Sequence, residues 1–200
     1  MSTLPKARLT PEEYLEIEDA AEYKSEYFQG EMFAMAGATY EHNLIAGNIG
    51  YQLTGQLRGR PCTVCPSDMR IHIPRTGLYT YADAVVICGE PRFLSQNRMN
   101  LLNPTVIVEV LSPSTEAYDR GRKFEHYQSI DSLREYLLVS SDRVSVTLHR
   151  RQSENQWLLI TATELESHIQ LESAGCRLLL RDLYEKIVFP AEERRGEQLD

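Results

Sequence analysis

The chain predicts a mixed α/β (α+β) fold, a mixed central sheet flanked by helices, with an added N-terminal hairpin and a C-terminal β-meander. Three observations carry this. The apolar, β-branched runs "YADAVVIC" at 81–88 and "NPTVIVEVL" at 103–111 are too short for helices and read as buried strands. Ile45, Ile49, Leu53 and Leu57 recur at helical spacing across 40–58. "VSVTLHRR" and "QWLLITAT", beginning at 144 and 156, are two strand-like segments across a short polar break.

The elements follow in order. "LTPEEYLEIEDA" opens a first helix, with Thr10 as N-cap, Pro11 at the first position and two glutamates in the first turn. "YKSEYFQGEMFAMAG" alternates as two strands turned at Gln29-Gly30. The long helix at 40–58 comes next, then "TVCPSDMRIHI" as a strand or strand pair, then the two apolar strands. "SPST" breaks the second of these, and a helix is predicted over 118–130. "REYLLVS" at 134–140 is a strand, the meander follows with "SHIQLES" as its weakest member, and "RDLYEKI" makes a short closing helix. Without repeats or a long linker, residues 1–190 read as a single domain, and "AEERRGEQLD" at 191–200 as a frayed tail.

Composition narrows the function classes. No stretch approaches the ~20 apolar residues of a membrane span, and the polar N-terminus has no signal-peptide core, so the cytoplasm is the expected location. The net charge of −8 argues against indiscriminate phosphate binding, yet permits a local basic patch or a metal in an acidic site. "CTVC" at 62–65 has the C-x-x-C form, but its flanks look extended and no second pair sits at zinc-ribbon spacing. The expectation is buried thiols without disulfides.

Glu109 interrupts "VIVEVL", where a carboxylate without a partner costs several kcal/mol in order of magnitude. Asp83 stands at the mouth of the other apolar strand. Adjacent strands would bring the two acids together, so that one must protonate or a cation must bridge them, and Mg²⁺ suits oxygen ligands. The alternative is a solvated acid at each strand end, which suits Asp83 as well as the site does and Glu109 less well. In "YDRGRKFEHY", Asp119, Arg122, Lys123 and His126 fall on one helical face, with Phe124, Tyr127 and Ile130 on the apolar side. That face is either ordinary solvated surface or, because it follows the Glu109 strand directly, the source of a lysine that folds back onto the acids.

With these residues in view, "YADAVVIC" and "NPTVIVEVLSPSTEAYDRGRKFEHYQSIDSLREYLLVSSDR" resemble the Uma-two family of restriction endonuclease-like proteins. "EYFQGEMFAMAGATYEHNLIAGNI" resembles its N-terminal signature and "LYEKIVF" its ending, so the resemblance runs from Thr10 to Phe189. That family is similar to the PD-(D/E)XK nuclease superfamily, which implies a restriction endonuclease-like core and metal-dependent phosphodiester cleavage. On this resemblance Asp83 and Glu109 match the two acids and the Val110 carbonyl would be a further ligand. Ala82 stands where the motif often has proline, and Leu111 where the lysine usually lies. Lys123, reaching in from the next helix, would take the lysine's place.

The resemblance also implies Mg²⁺ (or Mn²⁺) as cofactor, DNA as substrate and a homodimer. Glu26, Glu31, His42 and Asp119 are supporting candidates. A hairpin role is the plainer reading for one of the two glutamates, and a cap or core role for His42. Tyr127 reads as packing. Ser112, Ser114 and Thr115 read as a helix-capping turn, since no histidine stands in a triad relation to them. Two other functions stay open: a non-catalytic binding domain that retains the fold, and hydrolysis of a smaller phosphoester.

Overall fold

The structure, a computed structural model, describes residues 8–189. The first half runs α1 (Pro11–Ala20), β1 (Ser25–Phe28), β2 (Glu31–Ala34), α2 (Tyr40–Leu57), β3 (Cys62–Pro66), β4 (Arg70–Ile73), β5 (Leu78–Tyr81), β6 (Ala84–Cys88) and β7 (Asn100–Leu101). Then come β8 (Val106–Leu111), α3 (Glu116–Tyr118), a π-helical turn (Asp119–Lys123) and α4 (Phe124–Gln128). The chain continues through β9 (Glu135–Ser140), β10 (Val146–Ser153), β11 (Gln156–Ala162), β12 (His168–Leu171), β13 (Cys176–Leu179) and α5 (Leu180–Leu183). The tail expected at 191–200 lies outside the described residues.

The central sheet has the order β11-β10-β9-β8-β6-β3, with β8 and β9 parallel and the other neighbours antiparallel. Alternation along β8 sends Val106, Val108 and Val110 to one face, where they pack on Ile45, Ile49, Leu53 and Leu57 of α2 and on the β12–β13 hairpin. Ile107 and Leu111 go to the other face, under Phe124 and Tyr127 and a second sheet of order β2-β1-β5-β4-β7. The structure therefore has mixed sheets flanked by helices, as the sequence predicts. The meander strands β10 and β11 extend the central sheet itself, and the N-terminal hairpin joins the second sheet through Tyr27 and Tyr79.

Local signals act as their chemistry requires. Thr10 and Glu13 form a complete capping box on α1. Gln29 and Gly30 both take positive φ, 49° and 88°, the twist-matched geometry for a two-residue hairpin.

Four local expectations change. "YADAVVIC" is not one strand: it breaks at Ala82-Asp83, with β5 in one sheet and β6 in the other. The 118–130 helix is interrupted by the π turn. Thr115 precedes α3 without a side-chain capping bond, while the Ser112 hydroxyl bonds those of Ser114 and Thr115. Cys62 and Cys88 form a disulfide rather than remaining thiols, because β3 and β6 pair in a register that sets them opposite each other. Spacing within "CTVC" carried no sign of that long-range pairing; Cys65 is free and half-buried.

Candidate active site

The start of β6 sets Asp83 beside the end of β8 that carries Glu109. Ala84 pairs with Val108 across β6 and β8, and the Asp83 amide donates to the Val108 carbonyl at 3.1 Å. The paired ladder stops at Ala84, which leaves Asp83 just outside it beside the β8 segment that carries Glu109. β6 ends there, so the Val110 amide has no strand partner on that side. The Asp83 carboxylate replaces one, with Oδ2 accepting the Val110 N–H at 2.7 Å. The inter-sheet break at Ala82-Asp83 is thus what frees the Asp83 side chain from an ordinary ladder position.

Lys123 enters from the π turn and is 3% exposed. Its Nζ lies 2.9 Å from Glu109 Oε1, 3.3 Å from Glu26 Oε1 and 3.7 Å from Asp119 Oδ1, and donates to the Tyr81 carbonyl at 3.0 Å. The π turn widens the helix where Asp119 and Lys123 must both face inward along with Phe124 and Tyr127. Regular helical geometry predicts one solvated polar face. Instead, Arg122 is exposed while Asp119 and Lys123 are buried.

Tyrosines complete the cluster, and sequence reasoning missed them. Tyr127, expected as packing, donates its hydroxyl to Glu109 Oε1 at 2.8 Å. Tyr118 donates to Glu26 Oε2 at 2.8 Å, Thr80 donates to Glu26 Oε1, and Tyr136 donates to the Asp119 carbonyl at 3.0 Å. No local signal distinguishes these tyrosines from the others in the chain; only strand register and the helix's rotation bring their hydroxyls to the acids. Glu31, at the exposed end of β2, has no ion pair with the cluster among the described residues and is not part of it. His42 is neither a cap nor a core residue: its Nε2 stands 3.3 Å from Asp83 Oδ2.

The electrostatics follow from crowding. Burial raises the Glu109 carboxyl well above the ordinary range; Lys123 opposes this, while Asp119 and Asp83 add to it. Burial alone would lower the Lys123 ammonium, but Glu109, Glu26 and Asp119 outweigh it and Lys123 is pushed up. Lys123 therefore holds its proton more tightly than a free lysine, and added positive charge relieves Glu109. Burial lowers the His42 imidazole, and the hydrogen bonding and charge of Asp83, then the Val110 carbonyl and Asp119, more than reverse that.

Among the described residues, no three of His, Cys, Asp or Glu form a ready-made metal cage. A hard divalent ion does not need one: Mg²⁺ keeps several waters and takes only one or two protein carboxylates. Asp83 Oδ1 and Glu109 Oε2 accept no hydrogen bond from the described residues, and the surplus of buried acids over cations favours a bound cation. A surface cleft lined by Ile73, Arg75, Arg92, Ser129 and Asp131 shares no residue with this cluster.

The fold is nuclease-like. The model of the Uma2 family, described as "Putative restriction endonuclease", matches residues 11–178, and the chain belongs to that family. Two relatives from Synechocystis are both described as uncharacterized. One, slr1290, is 36% identical over 92% of this chain and 96% of its own length; the other, sll1609, is 38% identical over 76% and 85%. The crystal structure of a "putative nuclease belonging to DUF820" from Anabaena variabilis matches 86% of this chain and 96% of its own with a TM-score of 0.72. At 18% identity, that likeness shows a shared fold. No helix among the described residues is long and apolar enough to cross a membrane.

Proposed function

We propose that the chain is a divalent-metal-dependent endonuclease hydrolysing DNA phosphodiester bonds, with Asp83, Glu109 and Lys123 as its catalytic residues. One observation carries the reading: Lys123, from the helical segment after β8, reaches within 2.9 Å of Glu109, and the neighbouring Val110 amide donates to Asp83 at 2.7 Å. Asp83, Glu109 and the Val110 carbonyl would hold Mg²⁺ or Mn²⁺, which when bound lowers the pKa of water and screens phosphate charge. Lys123 supplies donors only. Its raised proton affinity makes it a charge stabiliser for the developing phosphorane-like oxygens rather than a general base. Tyr127 orients Glu109 by holding Oε1, which leaves Oε2 for the ion. The same reading carries a homodimer, with one site for each strand, and a cytoplasmic location.

The net charge of −8 favours a second reading, a binding domain that keeps the fold without efficient chemistry. Incubation of plasmid DNA with the pure protein and Mg²⁺ or Mn²⁺ separates the two. The nuclease reading expects nicking or linearisation that Glu109→Gln and Lys123→Ala abolish. Cleavage persisting in both variants, or none by the wild type on varied DNA, overturns it. Light scattering in solution tests the dimer.

A further inference from the structure

We propose that the surface cleft beside α4 binds a nucleoside 5′-phosphate, with Arg75 and Arg92 on the phosphate and the turn after α4 on the nucleoside. The inference does not rest on the metal-dependent reading above, because the cleft shares no residue with the acid–lysine cluster.

Three segments with fixed backbones build the cleft. Arg75 lies in the turn from β4 to β5, where the Thr76 and Gly77 amides both donate to the Ile73 carbonyl, at 3.2 and 2.8 Å. Arg92 follows β6: its amide donates to Asn103 Oδ1 at 2.6 Å, and its carbonyl accepts the Leu102 amide at 2.9 Å. The third segment, 129–132, is held by the Ile130 amide on the Tyr127 carbonyl at 3.0 Å and the Leu133 amide on the Ile130 carbonyl at 3.2 Å. The enclosed volume is about 370 Å³, within the roughly 300–1,000 Å³ of small-molecule sites.

Donors and acceptors come from different segments. Acids outnumber bases 29 to 21, and Arg70, Arg120, Arg143 and Arg150 each hold a carboxylate. Arg75 and Arg92 hold none among the described residues, although Asp131 lines the same cleft. Two guanidiniums free of carboxylates match a phosphate in charge and in fork geometry.

The turn after α4 supplies the acceptors. The Ser129 hydroxyl donates to the His126 carbonyl at 2.7 Å and the Ser132 hydroxyl to the Pro104 carbonyl at 2.9 Å. Both oxygens therefore keep lone pairs for a ligand, and the ionised Asp131 carboxylate only accepts. Ile73 and Ile130, 1% and 5% exposed, add apolar surface together with Leu102. The matching ligand carries an anion at one end, hydrogen-bond donors at the other and an apolar body between. A nucleoside phosphate unites the three in its phosphate, its sugar hydroxyls and base N–H groups, and its base face; inorganic phosphate has no apolar body.

The test is calorimetric titration of the full-length chain in EDTA, which keeps divalent ions out of the acid cluster. AMP and TMP are expected to bind with Kd below about 1 mM, and adenosine and inorganic phosphate at least about tenfold more weakly. Arg75→Gln and Arg92→Gln, with folding confirmed by thermal melts, should each weaken AMP by about tenfold or more, through loss of a charge-assisted partner. Competition with TMP distinguishes the sources of the ligand. Displacement by a 5′-phosphorylated oligothymidylate, but not by the same strand with a 5′-hydroxyl, identifies a DNA end; no displacement by either identifies the free nucleotide. Equal displacement by both strands, inorganic phosphate binding as tightly as AMP, AMP and TMP weaker than about 1 mM, or unchanged AMP affinity in the folded variants overturns the proposal.

Discussion

Lys123→Met tests whether the cluster is an electrostatic unit. The side chain keeps its apolar stem but loses the ammonium lying within 4 Å of Glu109, Glu26 and Asp119. All three acids are buried, at 5%, 8% and 4% exposure, so none can turn to solvent. Removing one partner of a buried ion pair costs about 3–5 kcal/mol, because the charge left behind is uncompensated. For a chain of 200 residues, each kcal/mol lowers the melting midpoint by about 2–4 °C, so the expected loss is about 6–20 °C. Two measurements distinguish this from a packing defect. Adding Glu109→Gln to Lys123→Met should recover a large part of the loss, because the orphaned carboxylate becomes a neutral amide. Adding divalent metal should raise the variant's midpoint more than the wild type's. Differential scanning calorimetry at neutral pH provides both readings. A Lys123→Met midpoint within about 2 °C of wild type, or no recovery in the double variant, would refute the argument.

Three further perturbations test separate links. Tyr127→Phe removes the hydroxyl that holds Glu109 Oε1 at 2.8 Å; urea unfolding should show a loss of about 1–3 kcal/mol, and calorimetry weaker metal binding. Deleting Gly121 shortens the π turn towards a regular helix; circular dichroism should show a folded protein and plasmid assays an inactive one, and full activity would show that the turn does not position Lys123. Burial lowers the imidazole of His72, which stacks on Tyr79 at 4.0 Å, below its ordinary 6.5. The unfolded chain then binds more protons than the folded one below pH 6.5, so His72 costs stability as pH falls through that value and approaches its folded pKa. The melting midpoint of His72→Phe should fall less than that of wild type over this range, and parallel curves would exclude His72 as a contributor.

Much of the site was legible in the sequence because its signals are local violations. An acid within "VIVEVL" is conspicuous against its neighbours, and alternation alone assigns Glu109 to a face. The N-cap of α1 and the Gln29-Gly30 turn were legible for the same reason, since their chemistry spans only four residues. The contacts of Tyr127 and His42 were not legible because a hydroxyl or imidazole beside a carboxylate is a long-range event: 18 residues separate Tyr127 from Glu109, and 41 separate His42 from Asp83. The Cys62–Cys88 pairing, 26 residues apart, failed in the same way.

The sequence by itself determined the order of elements, the apolar faces and the identity of the two strand acids, because periodicity and turn chemistry act over a few neighbouring residues. Only the tertiary structure decided that β5 and β6 part company at Asp83, that a π turn rotates Lys123 and Asp119 inward, and that Glu26 joins them from another sheet. Those outcomes depend on register and on packing between sheets. Both are set by the simultaneous burial of many residues, and no single stretch of chain encodes them.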